Sequence, residues 1–268
     1  MARVIAIANQ KGGVGKTTTS VNIAASLSAT KRRVLLIDLD PQGNASMGSG
    51  VDKNAIEQTI FDVLVEEMSI KEAAIVPEGL DYSLIASNVD LSGAEVHLLE
   101  SENRELVLKQ ALKQVDDDYD FIFIDCPPSL NMLTINALVA AESVMIPMQC
   151  EYYALEGLSA LMDTINKIRA TLNPNLVIEG LLRTMYDPRN RLSQQVTEQL
   201  CKYFGDKVYR TIIPRNVRLA EAPSHGLPVL HYDSASKGAQ AYLALAGEIL
   251  RRAEAENELE TESESEQA

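Results

Sequence analysis

The sequence has few of the residues that build disulfide frameworks or metal clusters. Its 268 residues contain three cysteines, at positions 126, 150 and 201, and three histidines that have no metal-ligand spacing. An odd number of widely spaced cysteines indicates reduced thiols in an intracellular protein. Tryptophan is absent, and no apolar run reaches the length of about 18 residues that a membrane-spanning helix needs. The sequence therefore predicts a cytoplasmic protein without a membrane contact.

The N-terminal residues also lack the pattern of a signal peptide. The apolar run typical of a strand begins at Arg3, so the sequence predicts neither a signal peptide nor a separate domain before that strand. With 46% hydrophobic residues, the chain is long enough for one α/β domain with a large core. We expect this domain to span residues 1–252.

Basic residues are the minority, and they are unevenly placed. The net charge is −14, and seven glutamates without a basic residue in positions 253–268 supply half of it. We expect this acidic segment to be a disordered tail. Residues 181–220 have the opposite balance, with eight arginines and lysines against three acidic residues. This segment is either a nucleic-acid contact or a solvated basic surface, and composition alone leaves both open.

The strongest motif follows the apolar run Val4–Ala8. Residues 11–18 read Lys-Gly-Gly-Val-Gly-Lys-Thr-Thr, which predicts a strand, a glycine-rich loop and then a helix. Such a loop turns successive N–H groups onto a phosphate, and the helix adds its positive N-terminal end. Lys16 would reach the outer phosphates, and the Thr17 hydroxyl would bind Mg²⁺. The predicted nucleotide-binding residues in this loop are Lys11, Gly12, Gly13, Val14, Gly15, Lys16, Thr17 and Thr18.

This loop departs from two common glycine-rich motifs. The plain phosphate-binding loop would have glycine at position 10, where this chain has Gln10, and it has no counterpart of Lys11. A dinucleotide-binding motif would need a third glycine at position 18, which is Thr18. A glycine-rich turn with lysines placed by chance is the remaining alternative, and the flanking strand and helix disfavour it.

Apolar strand-like runs alternate with helical patterns along the chain. This alternation predicts a mostly parallel, twisted sheet with helices on both faces, as in nucleoside triphosphatases that have a phosphate-binding loop. The predicted strands are Arg3–Asn9, Val34–Leu39, Tyr82–Ala86, Phe121–Asp125, Ser143–Met148, Val177–Thr184 and Val208–Ile213. The predicted helices are Lys16–Ser28, Ile56–Val65, Glu102–Val115, Met132–Ala141, Leu155–Leu172, Ser193–Tyr203 and Ala235–Ala253.

Two predicted strands end in carboxylates. The strand at Val34 ends in Asp38, with Asp40 shortly after it, and the strand at Phe121 ends in Asp125. In an open α/β sheet, ligands bind at this edge, and a buried acid there is explained by a metal ion. Asp125 would otherwise be a helix N-cap.

These motifs resemble the ParA/Soj family, whose phosphate loop is the deviant Walker A form shared with MinD. The resemblance covers about residues 1–250 and includes Asp38–Asn44, Asp125–Ser129, Leu182–Asp187 and Ile213–Arg218. It implies ATP hydrolysis with Mg²⁺, with Thr17, Asp38 and Asp125 at the metal. Catalytic roles would fall to Lys16, to Asp40, which would orient the attacking water, and to Lys11, which would reach the partner subunit's phosphates.

The resemblance also implies that the protein recognises adenine and binds DNA. Pro214, Arg215 and Asn216 would pack on and hydrogen-bond the adenine, and residues 166–169 lack the acid of a guanine-reading motif. Arg189 and Arg218 would contact double-stranded DNA non-specifically once ATP has driven homodimerisation. A ParB-type centromere-binding protein would stimulate hydrolysis, a replication initiator is a further candidate partner, and the protein would associate with the nucleoid.

Other readings of the same loop stay open at this point. A membrane-cycling MinD-type division regulator would need a basic amphipathic C-terminal helix, which the acidic end disfavours. An iron–sulfur ATPase would need two cysteines that bridge a dimer, and a biosynthetic ATPase would need its own substrate pocket. A DNA-binding module with an inactive nucleotide site conflicts with the presence of Lys16, Thr17, Asp40 and Asp125.

Overall fold

A computed structural model describes the backbone of residues 1–267 and the side chains of residues 1–256. The apolar runs that predicted strands form one sheet, because each can bury both of its faces between helices. Within the described residues its strands are β1 Arg3–Ile7, β2 Val34–Asp38, β3 Ser83–Ile85, β4 Phe121–Asp125, β5 Ser143–Gln149, β6 Val177–Tyr186 and β7 Val208–Pro214.

The strand order across the sheet is β3-β2-β4-β1-β5-β6-β7, and every pair of neighbours is parallel. All seven predicted strands are present, with ends that differ by up to two residues. Because the strands are parallel, all their C-terminal ends lie at one edge. The register pairs Asp38 of β2 with Asp125 of β4, and Ile7 of β1 also pairs with Asp125. The predicted fold class is confirmed, with a sheet that is parallel throughout.

Helices connect the strands and cover the two faces of the sheet. In the described backbone they are α1 Lys16–Ser28, α2 Asn44–Gly48, α3 Ile60–Val65, α4 Ile70–Ala73, α5 Leu91–Glu100, α6 Val107–Leu112, α7 Met132–Ala140, α8 Ala154–Thr171, α9 Arg191–Phe204, α10 Val217–Glu221, α11 Val229–Tyr232 and α12 Lys237–Gln267. Short 3-10 turns follow at Lys113–Val115, Gly205–Lys207 and Ala222–His225.

The core has two apolar layers, one on each face of the sheet. In β1, Ile5 and Ile7 point into the layer under α1 and α12, whereas Val4 and Ala6 point into the layer under α7 and α8. This alternation is the two-residue period of a strand, and all four side chains are buried. The central strands are therefore packed from both sides, which fixes the points at which the loops leave their C-terminal ends.

Several predicted helices are shorter in the structure. The helix predicted over Ile56–Val65 begins only at Ile60, because Thr59 and Asp62 form a capping box that fixes the start. The helix predicted over Glu102–Val115 is reduced to α6 and the 3-10 turn after it. The short helices α2, α4, α10 and α11 were not predicted, because one or two turns leave too weak a periodic pattern, and the longer α5 was also missed.

The last helix continues past its predicted end at Ala253. Helix α12 runs to Gln267, which differs from the disordered tail predicted for residues 253–268. The side chains from residue 257 onward, and residue 268 altogether, lie outside the described residues, so the division into a domain at 1–252 and a tail remains a prediction. Within the described part of the chain, no helix combines the length and the apolar character needed to cross a membrane.

Candidate functional site

The loop between β1 and α1 has the backbone of a phosphate cradle. Gly13 and Gly15 adopt positive φ angles of 73° and 89°, which a residue with a Cβ resists. Gly15 is also the N-cap of α1, and no side chain caps this helix end. The first N–H groups of α1 are therefore left for a ligand, and the helix dipole favours an anion there.

A cavity of about 640 Å³ opens at this helix end. Its wall brings together the phosphate-binding loop between β1 and α1 (the P-loop), the loop after β2, the loop after β4 and one side of α5. Of the predicted nucleotide, metal and catalytic residues, the wall contains Gly12, Gly13, Gly15, Lys16, Thr17, Thr18 and Asp40. The size is typical of a pocket for a nucleotide-sized ligand.

Lys16 lies at the base of this cavity and is 7% exposed. Burial lowers the pKa of its ammonium group, and the nearby carboxylate of Asp125 partly offsets this effect. A buried ammonium group is costly without an anionic partner. The position of Lys16 therefore favours a phosphate in the cavity beside it.

Asp38 ends β2 and is fully buried. One carboxylate oxygen accepts hydrogen bonds from the amide and the hydroxyl of Ser46, both at 2.8 Å, and the other accepts one from the Asp40 amide at 3.2 Å. Burial raises the pKa of Asp38, and these hydrogen bonds oppose the rise. The carboxylate is thus held in one orientation by α2 and by the loop that follows β2.

Asp125 lies beside Asp38 across the β2–β4 pairing and is also fully buried. Its Oδ1 accepts a hydrogen bond from the Ser20 hydroxyl at 2.7 Å, whereas Oδ2 has no partner among the described residues. Burial raises the pKa of this carboxyl group, and the adjacent charge of Asp38 raises it further. Two buried carboxyl groups side by side, one with an unused oxygen, fit a bound cation.

The donor set fits Mg²⁺ in particular. No group of three or more histidine, cysteine or acidic residues in the described part of the chain could hold a metal by itself. Mg²⁺ is usually held by one or two carboxylates together with phosphate oxygens and water. Asp38, Asp125 and the Thr17 hydroxyl would be the protein's share of such a site. When bound, Mg²⁺ neutralises charge on the phosphates.

Asp40 differs from these two acids because it is partly exposed and faces the cavity. Its carboxylate accepts a hydrogen bond from the Gln42 amide at 2.9 Å, and its carbonyl accepts one from Gly43 at 2.8 Å. The side chain is therefore fixed by a tight turn at the mouth of the phosphate site. An oriented carboxylate that water can reach is suited to position a water molecule.

Lys11 lies outside the cavity of its own chain. Its side chain is 41% exposed, and its Nζ pairs with Glu151 Oε2 at 2.7 Å, in the loop after β5. Its amide donates to Asn9 Oδ1 at 2.9 Å, and the buried side chain of Asn9 is itself bonded to the Pro147 carbonyl. The base of the loop is therefore fixed, while the lysine tip lies at Glu151 and does not line the cavity.

The predicted adenine residues do not line the cavity. Asn216 caps α10 by accepting a hydrogen bond from the Leu219 amide at 3.3 Å, and the Arg215 amide donates to the Tyr186 carbonyl. Both lie after β7, at the same sheet edge as the P-loop but separated from β1 by β5 and β6. The predicted contact of Pro214, Arg215 and Asn216 with adenine stays a prediction.

The two predicted DNA-binding arginines are both engaged by carboxylates. Arg189 is exposed and forms a two-pronged pair with Asp187, at 2.8 and 3.0 Å. This pair lowers the pKa of Asp187 to about 2. Arg218 is half-exposed and pairs with Glu221 at 2.7 Å and with Asp233 at 3.2 Å. Both arginines are presented on the surface, but their charge is locally balanced.

Three supporting residues of the site escaped the sequence analysis. Ser46 orients Asp38, Ser20 orients Asp125, and the Thr184 hydroxyl donates to the Val14 carbonyl at 2.7 Å. Ser20 lies four residues after Lys16, so its place on the same face of α1 was a usable signal. Ser46 and Thr184 carry no such signal, because only the folded chain brings them to their partners.

Comparison with known proteins identifies the family of this chain. A family model described as "AAA domain" matches residues 2–178. The sporulation initiation inhibitor protein Soj of Bacillus subtilis is 55% identical over 251 residues, which cover 93% of this chain and 98% of that protein. The chromosome partitioning protein ParA of Myxococcus xanthus is 51% identical over 253 residues, covering 94% and 89%. The chain belongs to the ParA/Soj family of partitioning ATPases.

A solved structure extends the comparison to the ligands. The cobyrinic acid a,c-diamide synthase of Mycobacterium smegmatis, with a bound ATP analogue and magnesium, superposes with a TM-score of 0.83 at 38% identity. It covers 95% of this chain, and this chain covers 96% of it. This ParA/Soj-type protein is accordingly an ATP hydrolase that uses ATP and Mg²⁺, as the sequence predicted. The cavity that Lys16 and Thr17 line is the candidate site for these ligands, and the buried Asp38 and Asp125, which do not line it, remain predicted metal ligands.

Proposed function

We propose that this partitioning ATPase is an ATP-gated switch whose nucleotide-bound dimer binds DNA non-specifically. One observation carries the proposal: Lys11 belongs to the phosphate loop but points away from the cavity of its own chain. In a dimer that faces another copy across the two nucleotides, each Lys11 would leave Glu151 and contact the partner's phosphates. ATP would then hold the two copies together.

Hydrolysis would end the dimeric state. Phosphoryl transfer needs positioning and charge neutralisation more than covalent chemistry. Asp40 would orient the water, and Lys16 and the partner's Lys11 would stabilise charge on the transferred group. The loss of that group would remove the phosphate that Lys11 contacts, so the dimer would separate.

DNA binding would follow dimerisation because few phosphate contacts per copy give weak affinity. Arg189 and Arg218 are both on the surface, and a dimer doubles the number of such arginines. Their carboxylate partners weaken each contact, since DNA phosphates must compete with Asp187, Glu221 and Asp233. The acidic body would repel DNA elsewhere and so favour release after hydrolysis.

The relatives indicate the biological role of this cycle. Two proteins that share about half of the sequence are named Soj and chromosome partitioning protein ParA. We propose that a ParB-type protein bound at a centromere stimulates hydrolysis, and that a replication initiator is a further partner. The protein would be cytoplasmic and associated with the nucleoid. Repeated binding and release of DNA would move or position the DNA that is segregated.

Replacement of Lys11 tests the dimer. Lys11→Ala should bind ATP within about threefold of wild type, because its own cavity lacks this side chain, but should no longer dimerise with ATP in sedimentation. The exposed Lys167 on α8 supplies the matched control, Lys167→Ala. ATP-dependent dimers of Lys11→Ala at wild-type affinity would overturn the proposed role of this lysine.

Replacement of Asp40 tests the hydrolytic step separately. Asp40→Ala should keep ATP-dependent dimers but lower kcat by about 100-fold or more, since a positioned acid or base contributes on that order. Turnover is measured as phosphate release under saturating ATP. A wild-type kcat would show that another group orients the water.

A MinD-type membrane cycle is the alternative function. It would require a basic, amphipathic surface on the final helix, and the described part of α12 pairs its Arg252 with Glu248 on the helix itself. Sedimentation with anionic lipid vesicles separates the two functions. ATP-dependent binding to vesicles, with no binding to DNA, would favour the MinD-type cycle.

A further inference from the structure

A second large cavity lies at the opposite end of the edge strand β7 from the adenine candidates. It measures about 740 Å³, and no residue of its wall also lines the nucleotide cavity. The wall is formed by β6, β7, the turn Gly205–Lys207 and α12. We call it the far-edge pocket. No role in ATP binding or in the proposed DNA contact accounts for it.

A bulge in β7 shapes this pocket. Leu181 pairs with Val208 and Arg183 pairs with Ile212, so two steps along β6 correspond to four along β7. The buried Arg183 fills the bulge by donating Nη2 to the Tyr209 carbonyl at 2.7 Å. On the other side, Glu248 accepts hydrogen bonds from the two bulge amides of residues 210 and 211, both at 2.8 Å. The bulge is thus a fixed part of the fold.

The buried acids around the pocket already have partners. Glu179 is bonded to Arg3 at 2.8 Å, to the Ser143 hydroxyl at 2.9 Å and to the Tyr209 hydroxyl at 3.2 Å. Glu248 accepts from Arg252 at 3.0 Å in addition to the bulge amides. These carboxylates are therefore neutralised by groups other than the remaining cations of the pocket wall.

The cations that remain have no such partner. Arg183 is 7% exposed, it pairs with no carboxylate among the described residues, and its Nε is sealed from solvent without a hydrogen-bond partner. Lys207, Arg210 and Arg251 are exposed on the wall and form no ion pair in the described part of the chain. Two exposed acids of the wall lie near these four cations: Asp206, which forms no ion pair in the described part of the chain, and Glu256, which pairs with Arg3 at 2.6 Å.

A guanidinium group that is more than nine-tenths buried and lacks a counter-charge is costly unless an anion compensates it. We propose that the far-edge pocket binds a small anion that carries phosphate groups. Phosphate oxygens suit the planar donor array of arginine, and several cations around one cavity suit a multiply charged ligand. The volume admits a ligand larger than a single phosphate.

Pocket shape favours a small ligand over the DNA backbone. Arg183 lines the pocket and is only 7% exposed, so a duplex resting on the surface would reach the exposed cations of the wall but not this side chain. The source of the phosphate, free in solution or part of DNA, is therefore an outcome of the test.

Cys201 provides a local probe, because it lines the pocket and is exposed, whereas Cys126 and Cys150 are buried. The experiment measures the rate at which N-ethylmaleimide labels Cys201 while inorganic pyrophosphate is added without nucleotide or metal at constant ionic strength. The proposal predicts saturable slowing of labelling. The same slowing should persist in Lys16→Ala, which removes the main phosphate contact of the P-loop.

Variants of the wall test the assignment. Arg183→Leu should raise the pyrophosphate concentration for half-protection by about tenfold or more, and Lys207→Ala or Arg251→Ala, which leave the buried bulge intact, by about threefold or more. The exposed Lys167→Ala serves as control and should match wild type. ADP binding and circular dichroism verify that each variant is folded.

Two results would overturn the proposal. If pyrophosphate leaves the labelling rate unchanged, or slows it equally in all of the wall variants, the far-edge pocket holds no phosphate ligand. If a short DNA duplex protects Cys201 and pyrophosphate does not, the rim is a DNA contact and not a small-molecule site. Neither result depends on dimerisation or hydrolysis, so the proposed partition cycle is judged separately.

Discussion

At the scale of single residues, the site rests on two buried carboxyl groups that neighbouring strands bring side by side. Asp38 and Asp125 are fully buried, and burial raises the pKa of each. Without a cation, this arrangement opposes folding, since two like charges are held together away from water. The two carboxylates thus destabilise the ligand-free protein at the place where the bound cation would lie.

Asp125→Asn should therefore stabilise the nucleotide-free protein while abolishing turnover. We expect a gain on the order of 1 kcal/mol or more at neutral pH, because the amide removes one of two adjacent buried charges and keeps an oxygen for Ser20. Thermal unfolding without nucleotide measures it. A lower melting temperature for the variant at pH 7.5 would contradict the account.

The pH dependence of this gain has a definite sign. A carboxyl group whose folded pKa is raised above the unfolded value of about 4 destabilises the fold progressively as the pH rises from that value through the folded pKa. The advantage of Asp125→Asn should thus be small near pH 4, grow as the pH rises and then level off. The exposed Asp163→Asn on α8 should show no such trend.

The ion pair of Arg189 with Asp187 should limit the affinity for DNA. Asp187→Asn removes a carboxylate that competes with DNA phosphates for the same guanidinium group. An exposed pair contributes at most about 1 kcal/mol, so we expect DNA affinity in the presence of ATP to rise by up to about fivefold. Fluorescence anisotropy at two salt concentrations measures it, with Asp163→Asn as control. Weaker binding by Asp187→Asn would show that the pair positions Arg189 for DNA.

At the scale of elements, strand β6 braces the phosphate loop. The buried Thr184 hydroxyl donates to the Val14 carbonyl at 2.7 Å, which ties the loop to a strand two places away in the sheet. Thr184→Val keeps the shape and removes this donor, so the carbonyl loses its partner. We expect ATP affinity to fall several-fold and stability to fall by about 1 kcal/mol.

The control for Thr184 is a threonine whose hydroxyl bonds only within its own helix. Thr171→Val on α8 removes a hydrogen bond to the Lys167 carbonyl at an exposed position. This variant should bind ATP like wild type in calorimetric titration. If Thr184→Val also binds ATP like wild type, the loop is held by its own backbone and not by β6.

The elements also show where sequence reasoning succeeds and where it stops. The strands were found because a sheet buried on both faces requires continuous apolar runs such as Phe121–Ile124, and those runs ended in the site's acids. Short helices such as α2 have no apolar period, so neither α2 nor the bond from its Ser46 to Asp38 was predicted. Contacts across distant loops are fixed by packing and leave no local pattern.

At the scale of the whole molecule, parallel topology gathers the chemistry at one edge. The loops after β1, β2 and β4 meet because these strands are neighbours in the order of the sheet, although they lie far apart in the sequence. The positions of the motifs predicted that these loops meet, since the phosphate loop and the carboxylates each follow a strand of one parallel sheet. The charge balance of the arginines was not predicted, because Asp187 meets Arg189 through loop geometry, Glu221 meets Arg218 through the short helix α10 that the sequence did not indicate, and Asp233 meets Arg218 only in the fold.

The whole-molecule claim is that ATP converts a weak DNA binder into a dimer that binds DNA. The decisive measurement is sedimentation and DNA binding of wild type and of Arg189→Glu/Arg218→Glu, each with ATP, ADP or no nucleotide, at two salt concentrations. The account predicts that wild type dimerises and binds DNA only with ATP, more weakly at high salt, and that the double variant dimerises without binding DNA. Wild-type protein that dimerises with ATP and binds no DNA in any state would contradict it.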